Sequence, residues 1–448
     1  MGKFFGTDGI RGIANKNLSC ELALKVGMAI SYILGKKSKI LIGKDPRISS
    51  CMIESAIMAG ISSMGSDAIS LGIVPTPAVA YLVRKYKADA GIMISASHNS
   101  FEFNGIKIFD KNGFKLSDEK ENEIESLISG EINNLLPEAK SIGKINDIEN
   151  ECKNDYVKYL LNASNISSKK NIKLLVDCSN GSSSFTAKEI FSSFPNIKAD
   201  FIFNSPDGIN INENCGSTHV ENLSKKVTDG KYDFAVAFDG DADRCLAMDE
   251  LGKVIDGDII LGICAKYLKD KNELKNNALV GTIMSNMGLK KFCHENEINF
   301  FETKVGDRYV LEKMLESGYV LGGEQSGHVI LLEHSTTGDG QLTALKLLEI
   351  LSESNMKASE LRNFVKKYPQ KSSQVDIDYS QKGLLKKNKK INDYLEKLEK
   401  NLKEKGRIVV RESGTEPKIR IMVEHENESD IDKIINETFD IISKEFKN

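Results

Sequence analysis

Three times along the chain a polar or basic lead runs into a short apolar stretch with room for one strand: SKILIGKD (38–45), NIKLLVDCSNG (171–181) and NNALVGTIMSN (276–286). A segment of helical pattern follows each. Later in each third a second apolar run stops abruptly in a polar loop: ADAGIMISASHN (88–99), YDFAVAFDGDADR (232–244) and SGYVLGGEQSGH (317–328). Short β-branched runs alternating with helices build α/β units around parallel sheets. In such sheets ligands bind outside the carboxyl ends of the strands. Three copies of one unit would therefore each offer a loop to a shared cleft.

The helical segments carry their own punctuation. CELALKVGMAISYILG (20–35) ends in Gly35, and residues 51–65 end in Gly65, both suited to the position just past a helix. Ser117 before Asp118-Glu119 is a helix start. The last segment differs from the repeat. LLKKNKKINDYLEKLEKNLKEK (384–405) reads as one charged amphipathic helix, with Glu and Asp interleaving the lysines as on a solvated face. RIVVRESGTEPKIRIMVE (407–424) reads as strand, loop and strand. A final helix places Ile431, Ile434, Ile435 and Phe439 near helical spacing. This is a small α+β unit.

The 448 residues suffice for about three domains by length alone. A net charge of −3 gives no global case for nucleic acid or an anionic membrane as partner, so any anion site must be built locally. The eight cysteines are scattered without a CxxC pair. That speaks against a disulfide framework or structural zinc and fits a reducing compartment. MGKFFGTDGIRG has no apolar core of a secretory signal, and Gly6 stands where a myristoylation signal needs Ser or Thr. No apolar run approaches the length of a membrane span. A soluble, cytoplasmic protein is expected.

The loops carry the chemistry. In FDGDADR (238–244) Asp239, Asp241 and Asp243 alternate directly after the apolar run FAVAF. Three carboxylates this close repel one another, and a hard divalent cation removes the repulsion. The spacing also fits several positions of an EF-hand calcium loop, but Arg244 occupies the position whose turn needs glycine. A Mg²⁺ site of few protein ligands, completed by a substrate or phosphate oxygen, is the favoured reading. In RESGTEPKIR (411–420) a Ser413-Gly414-Thr415 turn offers backbone N–H groups, and Arg411, Lys418 and Arg420 surround it. Such a turn suits an anion, although an ordinary hairpin turn has the same composition. In GGEQSGH (322–328) Glu324 and Ser326 can bond vicinal hydroxyls of a sugar, and His328 can move a proton, although a polar turn with a satisfied histidine has the same composition. Arg11 of FGTDGIRG and Arg308 of KVGDRYV each follow a Gly-Asp turn, where a surface salt bridge is the plain alternative.

Ser97 lies in SASHNS (95–100) without the G-x-S-x-G surroundings of a hydrolase nucleophile. His98, the next residue, cannot easily turn back onto it in a strand. Beside a metal and Lys107, however, a serine can carry a phosphoryl group, because phosphoryl transfer depends on positioning and charge neutralisation.

FGTDGIRG, SASHNS, NGIK (104–107), DGDADR, VGDRY, GEQSGH and RESGTEPKIR, in that order, give the chain a full-length resemblance to the α-D-phosphohexomutases. FGTDGIRG and Gln325 resemble the glucosamine branch of that family. The resemblance implies three related α/β domains with mixed sheets plus a smaller C-terminal α+β domain around a central cleft. The expected divisions are 1–150 with the phosphoserine loop, 151–250 with the metal loop, 251–370 with the sugar loop and 371–448 with the phosphate loop. It implies that Ser97 is phosphorylated and that Asp239, Asp241 and Asp243 hold one Mg²⁺ together with the serine's phosphate. Arg244 would lie beside them. Glu324 and Ser326 would contact sugar hydroxyls, and Arg308 would join the substrate-binding group. Arg411, Ser413, Gly414 and Thr415 would hold the non-reacting phosphate, with Arg420 close. Arg11, Lys107 and His328 would stand near the transfer site, the last two as candidates for proton transfer.

The implied reaction interconverts glucosamine 6-phosphate and glucosamine 1-phosphate through glucosamine 1,6-bisphosphate, feeding UDP-N-acetylglucosamine and cell-wall synthesis. A homodimer and no membrane or nucleic-acid partner are expected. The alternatives are a glucose- or mannose-specific mutase of the same family, a sugar phosphatase, and a non-catalytic calcium or sugar-phosphate sensor. One departure is visible. The family usually has Pro after SASHN, and this chain has Ser100. Serine lacks the fixed φ that proline lends a loop. Ser95 and Ser100 are lesser alternatives for the phosphorylated residue.

Overall fold

The computed structural model describes residues 4–6, 8–413 and 417–446. Four sheets follow one another along the chain. The first contains β1 (Phe5–Gly6), β2 (Gly9–Ile13), β3 (Lys39–Lys44), β4 (Asp67–Ile73), β5 (Ala90–Ile94), β6 (Phe103–Asp110) and β7 (Ile145–Asp147), in the order β1-β2-β6-β5-β3-β4-β7. The second contains β8 (Ile172–Asp177), β9 (Ile197–Ile202), β10 (Phe234–Phe238), β11 (Cys245–Asp249) and β12 (Val254–Ile255), ordered β12-β11-β10-β8-β9. The third contains β13 (Ala278–Thr282), β14 (Asn299–Thr303), β15 (Leu321–Gly323) and β16 (Val329–Leu331), ordered β14-β13-β15-β16.

The repeat in the sequence is a repeat in topology. The first run of each unit (β3, β8, β13) is flanked by two parallel partners: β4 and β5, β9 and β10, β14 and β15. The second run (β5, β10, β15) is buried along its whole length. It then turns back into an antiparallel partner, β6, β11 or β16. The sheets are therefore mixed rather than purely parallel. The polar loops 95–102, 239–244 and 324–328 are the connections between these antiparallel pairs.

The fourth sheet is antiparallel, with β17 (Gln370–Asp376), β18 (Gly406–Glu412) and β19 (Lys418–His425) in the order β17-β19-β18. Alternation along each strand gives it two unlike faces. Val375, Ile408, Ile419, Ile421 and Val423 pack against Ile391, Ile431, Ile435 and Ile442 of the two helices Lys389–Leu402 and Glu428–Phe446. The segment 384–405 is not one helix. Its α-helix starts only after Asn388, whose side chain accepts from the Ile391 N–H, and 3₁₀ turns stand on either side at 385–387 and 403–405. Asn is a strong N-cap, and a cap inside a charged stretch resets the helix start.

Candidate active site

The site is built where the hairpin loops of the three α/β units meet. Ser97 follows β5 and is 1% exposed. Its backbone is left-handed, with φ of 52°, a conformation that costs a non-glycine residue roughly 1–2 kcal/mol. The surroundings hold it there. The Ser97 N–H donates to Ser95 Oγ at 2.9 Å, and its carbonyl accepts from Arg47 Nη2 and Asn212 Nδ2, each at 2.9 Å. The hydroxyl then donates to Asp239 Oδ2 at 2.7 Å, across from the first unit to the second. The same left-handed turn brings His98 back: Ser97 Oγ lies 3.5 Å from His98 Nδ1. This corrects the expectation drawn from strand geometry, because Ser97 is not in a strand. His98 Nδ1 is 3.1 Å from Arg244 Nη1. Burial, then the charges of Arg244 and Arg11, push the His98 pKa down to about 4, so the neutral ring accepts from Arg244. Ser95 donates to Asp45 at 2.6 Å, and Ser100 is exposed.

Asp239, Asp241 and Asp243 are buried, and one oxygen from each falls within a group spanning no more than 4.8 Å. Gly240 lets the loop sit this close to the serine loop, since a Cβ there would stand 2.7 Å from the Ser97 carbonyl oxygen. The Oδ1 atoms of Asp241 and Asp243 are buried without a hydrogen-bond partner. Burial and the charges of Asp243 and Asp241 push the Asp239 pKa well up. Orphaned carboxylate oxygens crowded at one point are the donor set of a hard divalent cation, so the residues fit Mg²⁺. Asp241 also accepts from Thr76 Oγ1 at 2.5 Å.

Around this loop runs a closed ring of alternating charge. Lys107 Nζ, 1% exposed, stands 2.8 Å from Asp241, 3.2 Å from Asp243 and 3.2 Å from Asp8. Asp8 pairs with Lys115, and Lys115 lies 2.6 Å from Asp307. Asp307 is 3.4 Å from His328 Nε2, and His328 Nδ1 is 3.8 Å from Asp243, which closes the circuit. Burial opposes the charge on Lys107, but Asp241, Asp243 and Asp8 outweigh it and raise its pKa well above the usual lysine value. Burial likewise opposes imidazolium at His328, and the carboxylates of Asp243 and Asp307 outweigh it, so its pKa rises. The Gly338 N–H donates to His328 Nε2 at 3.0 Å, which leaves Nδ1 as the proton-bearing nitrogen of the neutral ring. Arg11 pairs with Asp8 and donates to Asn99 at 3.3 Å.

Of the residues singled out from sequence, Ser97, His98, Lys107, Asp239, Asp241, Asp243, Arg244, Arg11 and His328 come together here. Arg244 also donates its backbone N–H to Asp239 Oδ1 at 3.2 Å. Glu324 accepts from the Gly306 N–H at 3.0 Å, and Ser326 Oγ is buried without a partner. Arg308 pairs instead with Asp118 and with Glu312 at 3.0 Å. Arg411 and Arg420 are cross-strand neighbours on the face of the fourth sheet opposite its helices. They line a groove of about 580 Å³ with Ser372, Gln374, Val409, Met422 and Met284. Burial, then the Arg420 charge, lowers the Arg411 pKa, the mark of a place that favours an anion. Ser413 closes the strand pair, its N–H donating to the Lys418 carbonyl at 2.8 Å. Gly414 and Thr415 lie outside the described residues. Sequence reading passed over Asp8 and Asp307, although both stand inside quoted motifs, and missed Thr76, Lys115, Arg47 and Asn212. Nothing local marks these four: Thr76, Lys115 and Asn212 find partners in other units, and Arg47 reaches a loop of its own unit 50 positions away.

Four family models cover the chain: phosphoglucomutase/phosphomannomutase alpha/beta/alpha domain I at 2–134, domain II at 154–252, domain III at 256–368 and the C-terminal domain at 374–441. The chain is 48% identical to a phosphoglucosamine mutase of Clostridium acetobutylicum over 99% of both chains. It is 50% identical to a phosphoglucosamine mutase of Caldicellulosiruptor saccharolyticus over 97% of both. Its fold is similar to the crystal structure of a phosphoglucomutase/phosphomannomutase family protein from Burkholderia thailandensis, with TM-score 0.81 at 22% identity, covering 98% of this chain and 97% of that one.

Proposed function

The chain belongs to the phosphoglucomutase/phosphomannomutase family, and on that premise we propose that it interconverts glucosamine 6-phosphate and glucosamine 1-phosphate. Near-full-length identity to phosphoglucosamine mutases supports the amino-sugar substrate. The observation that carries the chemistry is a buried serine hydroxyl 2.7 Å from a buried aspartate triad with orphaned oxygens.

Ser97 carries the transferable phosphoryl group on Oγ. The substrate's own phosphate docks beside Arg411 and Arg420, whose guanidinium groups can grip it bidentately. Glu324 and Ser326 bond the sugar hydroxyls. The free hydroxyl of the sugar attacks phosphorus, the P–O bond to Ser97 breaks, and glucosamine 1,6-bisphosphate forms. Lys107 and His328 are the candidates to move the proton lost by the attacking hydroxyl, and Ser97 Oγ gains a proton as it leaves, so that it ends as the free hydroxyl. Lys107, held charged by three carboxylates, neutralises charge on the moving phosphoryl group. The bisphosphate turns over, its other phosphate faces Ser97, and the reverse transfer yields the isomer and restores phosphoserine. Mg²⁺ held by Asp239, Asp241 and Asp243 supplies charge neutralisation when bound. Arg244 and Arg11 add positive charge beside it. Arg308 is assigned to substrate binding after release from Asp118. The four stretches 1–150, 151–250, 251–370 and 371–448 are proposed as the domains, in a cytoplasmic homodimer that supplies amino-sugar nucleotide synthesis.

The test is a rate comparison followed by phosphorus NMR. Protein with Mg²⁺ and a trace of matching bisphosphate is given glucosamine, glucose or mannose 6-phosphate. The amino sugar is expected to turn over fastest, and chelation of Mg²⁺ is expected to stop all three. A preference for glucose or mannose would reject the substrate, and full activity after chelation would reject the metal site.

A further inference from the structure

We propose that Arg47 is a positioning residue for Ser97, and that its buried pair with Asp45 supplies the loop restraint that Ser100 cannot. The proposal deepens the mutase reading and rests on it.

Arg47 and Asp45 have fully buried side chains and pair at 2.9 Å through Arg47 Nε and Asp45 Oδ2. Asp45 is saturated from its own side: Ser50 Oγ donates to Oδ1 at 3.1 Å, Ser95 Oγ to Oδ2 at 2.6 Å, and the Arg47 N–H to Oδ1 at 3.1 Å. The other end of Arg47 is spent on the serine loop. Nη2 donates to the Ser97 carbonyl at 2.9 Å, and Nη1 donates to the Ser100 carbonyl. One planar guanidinium thus spans Ser97 to Ser100 and fixes both ends of the turn. Its geometry is rigid, and less freedom is lost per hydrogen bond than with lysine.

The consequence reaches the reacting atom. The left-handed φ of Ser97 is what turns Oγ toward Asp239. Ser95 ties the N–H side of this residue to Asp45, and Arg47 ties the carbonyl side to the same carboxylate. A buried charge pair aimed at two loop carbonyls, neither of which belongs to a strand or helix, is more than core structure requires. A proline at 100 would restrict the turn through its ring. Here Ser100 is exposed and lacks that restriction, so the turn depends on Arg47.

The experiment compares Arg47→Lys, Arg47→Gln, Ser100→Pro and Arg47→Gln/Ser100→Pro with the wild type. Each is assayed for kcat and KM with glucosamine 6-phosphate, and phosphorus NMR follows the phosphoserine signal and its loss to water. Misplacing a reacting group by about 1 Å costs on the order of 10²-fold. Arg47→Gln is therefore expected to lower kcat at least ~10-fold, leave KM within roughly threefold, shift the phosphoserine resonance and speed its hydrolysis. Ser100→Pro is expected to recover part of kcat in the Arg47→Gln background and to change the wild type little. If Arg47→Gln does not fold, Arg47→Lys carries the same expectation with a smaller loss. Retention of kcat in Arg47→Gln, or in Arg47→Lys where Arg47→Gln does not fold, would overturn the proposal. So would a loss of kcat with the phosphoserine signal unmoved and no recovery from proline. Wild-type turnover tests the mutase reading itself, so the two failures are distinguishable.

Discussion

At the scale of single residues, Ser97 joins backbone strain to chemistry. Its side chain is wanted beside Asp239, and its φ of 52° is the means. Ser97→Ala is expected to abolish turnover while the protein stays folded, whereas Ser97→Gly, equally inactive, should be more stable than Ser97→Ala by about 1 kcal/mol because glycine relaxes the left-handed strain. Urea unfolding of the two variants checks this. Equal stabilities would mean that φ is not strained. His98 yields a second prediction. Its ordinary pKa of 6.5 falls to about 4 in the folded chain. Between those values the unfolded ring binds a proton that the folded ring refuses. Stability from this group is therefore complete above pH 6.5 and lost as pH falls toward 4, by on the order of 3 kcal/mol. Asp177 and Asp339, which burial pushes up to about 6, act in the opposite direction. Only the difference between wild type and His98→Gln isolates the histidine. Denaturant titrations at pH 7 and 4.5 should show the variant losing less stability than the wild type.

At the scale of elements, the loops can be strained because the framework beneath them is closely packed. The helices Cys20–Leu34 and Ser50–Ser63 approach backbone to backbone. A Cβ on Gly27 would stand 2.2 Å from the Ile57 carbonyl oxygen, and one on Gly60 2.2 Å from that of Leu24. No side-chain rotation relieves a clash with backbone. Gly27→Ala and Gly60→Ala are each expected to destabilise by roughly 1–3 kcal/mol, as overpacking does. Because either one pushes the same two helices apart, the double variant should lose less than the sum. Thermal unfolding of the three proteins tests this, and strict additivity would mean that the helices do not move as a pair. The hairpins that follow β5, β10 and β15 are the second element-scale device: each delivers a loop at the carboxyl end of a wholly buried strand.

At the scale of the whole molecule, the groove carrying Arg411 and Arg420 is joined to the third α/β unit in part through an ion pair whose carboxylate is wholly buried. Arg407 binds Glu424 at 2.8 Å and also donates to the Ile283 carbonyl at 2.8 Å. Glu424, wholly buried, accepts from the Met287 N–H at 2.9 Å. Removing one partner of such a pair leaves an uncompensated buried charge, at a cost of about 3–5 kcal/mol. Arg407→Met is expected to loosen the fourth sheet from the third and to raise KM for the sugar phosphate more than it lowers kcat, because that sheet is proposed to dock phosphate rather than transfer it. Steady-state kinetics with limited proteolysis between 366 and 380 would show both effects. A loss confined to kcat would place this pair in the chemistry instead.

The sequence by itself determined the repeated strand runs, because a strand buried on both faces needs consecutive apolar residues wherever it lies. It also determined which loop crowds its carboxylates, because Asp239, Asp241 and Asp243 stand at alternate positions of one short segment. The division into mixed sheets was less legible. An antiparallel return such as Phe103–Asp110 has no different composition from a parallel strand. The 3₁₀ turns and the Asn388 cap were hidden for a similar reason, since the lysine-rich stretch 384–405 favours helix at nearly every position. Only the tertiary structure decided which charges complete the site. Lys115 reaches Asp307 from 192 positions away, and Thr76 reaches Asp241 from 165. Arg47 lies 50 positions before Ser97, on the other side of β5. Local pattern records what a residue does to its own segment. A charge whose partner lies on another sheet leaves no periodic trace, because what stabilises it is a distance that exists only after the units have packed.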